Sequence, residues 1–156
     1  MLIRNILEES VRKFDEVKAV KWLKKKEIME RSYGELMENV VSTRKGLLAE
    51  GFEGKHIALI GTSSVEWMES YLGIITGCTT AVPLDAALPC EDLIDLLNRS
   101  DSVALFLSPK LKPYLDAFLE NCPKLQKVWM LQEEVEDAPA KVYGICLLYT
   151  SPSPRD

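Results

Sequence analysis

The sequence predicts an α/β fold, a largely parallel sheet with flanking helices, preceded by a helix and a short β-hairpin. The stretch Lys55–Asp85, KHIALIGTSSVEWMESYLGIITGCTTAVPLD, reads as strand, tight turn, amphipathic helix and strand. Further apolar runs at Val103–Leu107 and Val128–Leu131 have the length of strands and are separated by segments of helical periodicity. From residue 56 the order is therefore βαβαβαβ. Parallel strands joined through helices are the mark of an α/β layer fold. No internal repeat is evident.

Each element has a local reason. Ile3, Ile6, Leu7, Val11 and Phe14 fall on one helical face, so the chain opens with an amphipathic helix. Val17–Leu23 and Glu27–Arg31 read as strands around Lys24-Lys25-Lys26, a solvated hairpin tip, with Val20 and Trp22 facing the core. Ser32-x-x-Glu35 has the spacing of a capping box, in which serine and glutamate each satisfy an orphan backbone N–H. Leu36, Met37, Val40, Val41, Leu47 and Leu48 carry that helix to Glu50, and Gly51 closes it. Ile57–Ile60, bounded by Gly61, is a buried strand. Ser63-x-x-Glu66 repeats the capping-box spacing before a helix over Ser64–Thr76. The apolar face of that helix, Trp67, Tyr71 and Ile75 with Met68 and Leu72, is expected to pack on the sheet, and Gly77 to end it in the left-handed conformation.

Thr79–Leu84 is the next strand. Pro89 stands near the first turn of a helix, where its missing N–H does no harm, and Glu91 and Asp92 suit the positive end of the helix dipole. Leu93, Ile94, Leu96 and Leu97 line its inner face. Val103–Leu107 is unbroken apolar, as in a strand covered on both faces. Leu111, Leu115, Phe118, Leu119 and Cys122 read as one more helix, and Val128–Leu131 as one more strand. Glu133, Glu134, Glu136 and Asp137 make a solvated acidic loop.

At 156 residues the chain is one domain's worth, enough to bury roughly two-thirds of its unfolded surface. A net charge of −5 argues against non-specific nucleic-acid binding, which needs a basic face to displace counterions. No apolar stretch reaches the ~18 residues of a membrane span. Arg4 followed by Glu8 and Glu9 is not the layout of a signal peptide. Cys78, Cys90, Cys122 and Cys146 form no C-x-x-C pair and meet no histidine cluster. They read as free thiols in a reducing cytoplasm, not as a zinc site or a disulfide framework.

Gly61-x-x-Ser64-x-Glu66-Trp67, then Gly77 and Ala81-Val82-Pro83-Leu84-Asp85, resemble the N-terminal part of the adenylate-forming enzymes: acyl-CoA synthetases, luciferase relatives and amino-acid adenylation domains. The likeness extends upstream through Ser32-Tyr33-Gly34-Glu35-Leu36 and downstream from Pro89 to Leu107. One departure is Ser63, where many members carry Asn. The resemblance implies a two-step ligase that uses ATP, magnesium and coenzyme A. A carboxylate attacks the α-phosphate of ATP to give an acyl-adenylate and pyrophosphate, and a thiol then takes the acyl group. It further implies that the family's phosphate loop and catalytic lysine lie outside these residues, so the chain reads as an N-terminal fragment that is inactive and binds no cofactor by itself. The residues contain neither G-x-x-x-x-G-K-[ST] nor G-x-G-x-x-G. Within the family a long-chain fatty-acyl-CoA ligase is the favoured reading. Amino-acid adenylation domains commonly place an arginine after the proline matching Pro89, and here Cys90-Glu91-Asp92 follows. An aryl-acid ligase stays open. So does a different class, a flavodoxin-like binding or signalling module without catalysis, although no acidic pair follows the first parallel strand.

No residue is assigned a catalytic, cofactor or metal role. The Gly61-Thr62-Ser63-Ser64 turn enters a helix and is read as a cap rather than an anion site. Asp85 lies at the carboxyl end of a strand, the edge where open α/β sheets bind ligands, yet an Asx turn is its favoured role. His56 reads as a surface histidine, and Cys78 and Cys90 as core or near-core thiols. The domain proper is placed at residues 1–145. Residues 146–156, CLLYTSPSPRD, read as a non-native tail, the translated read-through of a sequencing adapter, with a native proline-rich terminus as the alternative. The tail is expected to make no specific packing; a brief strand from Tyr143 to Leu148 on an exposed sheet edge is allowed for.

Overall fold

The computed structural model of the chain describes residues 2–131 and 139–150. Helix α1 (Ile3–Phe14) leads into an antiparallel hairpin, β1 (Lys18–Lys24) and β2 (Glu27–Ser32), and then into α2 (Tyr33–Ala49). There follow β3 (His56–Ile60), α3 (Val65–Ile75), β4 (Thr80–Leu84), α4 (Cys90–Arg99) and β5 (Ala104–Leu107). A 3₁₀ segment (Pro109–Tyr114) precedes α5 (Leu115–Asn121), β6 (Lys127–Met130), β7 (Val142–Gly144) and α6 (Ile145–Thr150). The hairpin is a sheet of its own. The other five strands form one sheet, parallel throughout, in the order β4-β3-β5-β6-β7.

Alternation along these strands sorts the core into two layers, because successive side chains point to opposite faces. Ala58, Ile60, Leu105, Leu107, Val128 and Met130 face α4 and α5, meeting Leu93, Leu97, Leu115 and Phe118. Ile57, Leu59, Ala104, Phe106 and Trp129 face the other way, meeting Leu47 of α2, Ile74 of α3 and Leu148 of α6. Phe106 and Trp129 stack across adjacent strands with ring centroids 5.2 Å apart. Strands β3, β5 and β6 therefore read as apolar runs because both faces are covered.

The Ser32 capping box forms: the Ser32 hydroxyl accepts from Glu35 N at 3.1 Å, and Ser32 N donates to Glu35 Oε2 at 2.7 Å. Gly51, at φ 78°, ends α2, with Gly51 N bonded to Leu48 O and Phe52 N to Leu47 O.

Other expectations need correction. In α3 the cap is Ser64, not Ser63: its Oγ accepts from Trp67 N at 3.1 Å. Gly77 does not take the left-handed conformation, which among the glycines belongs to Gly51 and Gly54. It is small because α2 passes close by; a Cβ there would lie 3.0 Å from the Arg44 stem. The buried face of α3 is Val65, Glu69, Ser70, Gly73 and Ile74, while Trp67 and Tyr71 are half-buried at its flank. The helix is rotated this way because α2 packs on its small-residue side, where a Cβ on Gly73 would lie 2.5 Å from Thr43 Cβ. The segment from Leu111 to Cys122 is not one helix, since Pro109 and Pro113 lack N–H donors and hold its first part as a 3₁₀ turn. Val20 and Trp22 are half-buried, not in the core. Cys78 is exposed, Cys90 half-buried and Cys122 buried.

The expected absence of packing beyond residue 145 also fails. Leu148 is 4% exposed and sits in a notch left by Gly46, where a Cβ would lie 2.1 Å from Leu148 Cδ1. The Tyr149 hydroxyl donates to Glu69 Oε2 at 3.1 Å. Docking does not require the whole tail to be ordered, because pairing of β7 with β6 already fixes the chain just before α6. The acidic loop over Glu133–Asp137 and the prolines at 152 and 154 lie outside the described residues.

Candidate functional site at the carboxyl edge of the sheet

The strand order makes β3 the switch point: the chain leaves it for β4 on one side and later returns as β5 on the other. A crevice opens outside the carboxyl ends of strands at such a point. Here it is a cavity of about 660 Å³, lined by the turns that follow β3, β4 and β5. Each turn is held by its own sequence. Gly61 is small because a Cβ would lie 2.1 Å from Ser108 Oγ and 3.3 Å from Trp67 Cδ1. That closeness lets Ser108 Oγ accept from Thr62 N at 3.1 Å, while Ser108 N donates to Ile60 O at 2.9 Å, tying the exits of β3 and β5 together. Asp85 forms its Asx turn, with Oδ1 accepting from Ala87 N at 2.9 Å. The 3₁₀ segment brings Lys110, Leu111 and Tyr114 over the crevice. Tyr114 is steadied edge-on by Phe118, and Trp67 is stacked on Tyr71 at 5.3 Å.

Among the residues picked out in the sequence, Ser63 and Asp85 both reach the cavity wall. His56 does not: it is exposed at the opposite, amino edge of the sheet, with Nδ1 2.7 Å from Ser100 O. Cys90 begins α4, away from the cavity lining, and burial followed by the nearby Glu91 charge pushes its thiol pKa up, away from nucleophilic use. Ser108 and Lys110 were not picked out, since nothing in their spacing marks them; only the parallel register of β3 and β5 brings them to the turn after β3.

A second polar cluster, unseen in the sequence, lies on the α2–α3 side. Glu69 is fully buried and ion-pairs with Arg31; Asn39 Nδ2 donates to its Oε2 at 3.1 Å, as does Tyr149. Burial pushes the Glu69 carboxyl up, and the Arg31 charge and these donors pull against it. Burial, then the Glu69 charge, holds the Tyr149 phenol protonated far above the ordinary tyrosine range. The cluster fastens the hairpin base, α2, α3 and α6 to one another.

A nucleoside triphosphate needs several free amides and a cation around its phosphates. The turn at Gly61 does not fit it: Thr62 N is taken by Ser108, Trp67 N by Ser64, and among the described residues Lys110 is the one cation on the lining. Nor do the described residues contain a group of His, Cys, Asp and Glu able to hold a metal ion. The cavity's resources are aromatic and aliphatic walls with one lysine and one carboxylate, suited to holding an apolar group near a charged one.

Comparison with known proteins agrees with this architecture. The family described as "AMP-binding enzyme" matches residues 7–152. A CoA ligase from Gibberella moniliformis is 27% identical over 137 residues, 76% of this chain and 23% of its own length. Coronafacic acid ligase from Pectobacterium brasiliense shares the fold over 100% of this chain and 31% of its own, with 19% identity and a TM-score of 0.86. The anthranilate CoA ligase AuaEII, in complex with anthranoyl-AMP, does so over 83% of this chain and 25% of its own, with 18% identity and a TM-score of 0.73. The chain thus spans between 23% and 31% of the length of these relatives. It is a member of the AMP-binding enzyme family, and its parallel sheet with flanking helices is that of the N-terminal domain of adenylate-forming enzymes.

Proposed function

We propose that this chain is the opening part of a cytoplasmic acid–thiol ligase that activates a fatty acid. In the first step the acid's carboxylate oxygen bonds to the α-phosphorus of ATP and the bond to the β-phosphate bridge breaks, releasing pyrophosphate. In the second a thiolate of coenzyme A bonds to the acyl carbon and AMP leaves. Magnesium would screen the phosphates and stabilise departing pyrophosphate when bound. The observation that carries the reading is the cavity at the sheet's carboxyl edge, with Trp67, Leu84, Leu111, Pro113 and Tyr114 on its wall. Such a wall accepts a hydrocarbon chain, and hydrocarbon burial contributes about 0.8 kcal/mol per methylene. The phosphate chemistry belongs to residues outside this chain in the reading, which makes the 156-residue polypeptide inert by itself.

An aryl acid is the second reading, favoured by the stacked Trp67–Tyr71 pair, on which a ring could lie. ATP–pyrophosphate exchange separates the possibilities. A longer protein carrying this chain at its N-terminus should exchange with fatty acids of increasing length more readily than with benzoate or anthranilate. Preference for the aromatic acids would replace the fatty-acid reading, and exchange by the 156-residue polypeptide alone would refute its inertness.

A further inference from the structure

Among the described residues, none packs over the outer part of the hairpin. Leu23 and Ile28 face each other across β1 and β2 and are 73% and 71% exposed. Between them Lys24, Lys25 and Lys26 form the tip, and Lys25 and Lys26 take φ of 48° and 70°. Hairpin turns with both central residues at positive φ favour Asn and Gly, so two lysines here cost stability. The base, by contrast, is firmly held: Tyr33 N donates to Val17 O at 2.9 Å, and Arg31 ion-pairs with buried Glu69 while lying over the Trp22 ring at 5.3 Å.

Charge singles out the same place. Residues 18–31 carry Lys18, Lys21, Lys24, Lys25, Lys26 and Arg31 against Glu27 and Glu30, on a molecule of net charge −5. Lys18 and Lys21 are paired with Glu30. Lys24, Lys25 and Lys26 have no ion-pair partner among the described residues. We infer that this tip docks on an anionic lipid surface, the three lysines meeting acidic headgroups while Leu23 and Ile28 enter the acyl boundary. Nucleic acid fits less well, because the apolar pair has no use against a phosphate backbone. On a bilayer both features act together.

The test is co-sedimentation of the 156-residue chain with vesicles of phosphatidylcholine alone, and of phosphatidylcholine with about one-third phosphatidylserine. Binding is expected to the anionic vesicles and to fall steeply between ~0.1 and ~0.5 M salt. Replacing Lys24, Lys25 and Lys26 together by Gln should weaken it about a hundredfold, from roughly fivefold per lysine. Leu23→Ser with Ile28→Ser should weaken it about tenfold or more at unchanged charge. These positions are exposed, so the unfolding midpoint of each variant should match the parent and confirm that it folds. Equal binding to both vesicle types, or none to either, would overturn the proposal. So would binding that needs the lysines but ignores Leu23 and Ile28, which would mark a soluble polyanion as the partner.

Discussion

Gly46→Ala gives a prediction whose sign depends on a single contact. Gly46 lies inside α2, and replacing glycine by alanine in a helix interior normally stabilises by about 0.8–1.0 kcal/mol. Here the new methyl would lie 2.1 Å from Leu148 Cδ1 and 3.1 Å from Leu148 Cγ. Leu148 must leave its notch, forfeiting burial worth about 1.5–3 kcal/mol for a leucine. The net expectation is a loss of about 0.5–2 kcal/mol from these two terms. With Leu148→Ala already present, the obstacle is gone and Gly46→Ala should stabilise by about 1 kcal/mol. Urea unfolding followed by fluorescence of Trp129, which lies in the same core layer, measures all four corners of the cycle. The coupling expected is about 1.5–3 kcal/mol. If Gly46→Ala stabilises both backgrounds equally, Leu148 is not seated on α2 and the packing of α6 described above is wrong.

Two further expectations follow from the corrected caps and from the buried ion pair. Ser32→Ala and Ser64→Ala should each cost about 1 kcal/mol, whereas Ser63→Ala should stay within about 0.5 kcal/mol; denaturation midpoints decide, and equal losses at Ser63 and Ser64 would reinstate the cap at Ser63. Arg31→Leu leaves the fully buried Glu69 carboxylate without its cation and should cost about 3 kcal/mol, while the double change with Glu69→Leu should recover most of the loss; additive losses would show that the pair acts through packing alone.

The parallel sheet was legible because its inner strands are covered on both faces, so Ile57–Ile60, Ala104–Leu107 and Val128–Met130 appear as short apolar runs with no polar alternation to blur them. The caps were half legible. Ser32 and Ser63 both stand three residues before a glutamate, and that spacing alone does not say which serine takes the extended conformation at a helix entrance. Glycine was read through its backbone freedom, which holds at Gly51; at Gly46, Gly61, Gly73 and Gly77 the residue is small for a neighbour that only the tertiary structure supplies.

The face of α3 was misjudged for a related reason. A hydrophobic stripe predicts the buried side of a helix that touches one layer, but α3 lies between the sheet and α2. Close approach of two helices needs small residues, so Ser70 and Gly73 are buried where the larger Trp67 and Tyr71 are not. Glu69 follows from the same geometry. On a one-sided helix a glutamate between two aromatics would be solvated; here its neighbours Ser70 and Gly73 draw α2 close and its carboxylate must find Arg31, Asn39 and Tyr149 in place of water. The displaced aromatics in turn become available at the carboxyl edge, where Trp67 forms part of the cavity wall. The polar inner face of α3 and the aromatic lining of the candidate site are thus two consequences of one rotation, set by the small residues that α2 packs against.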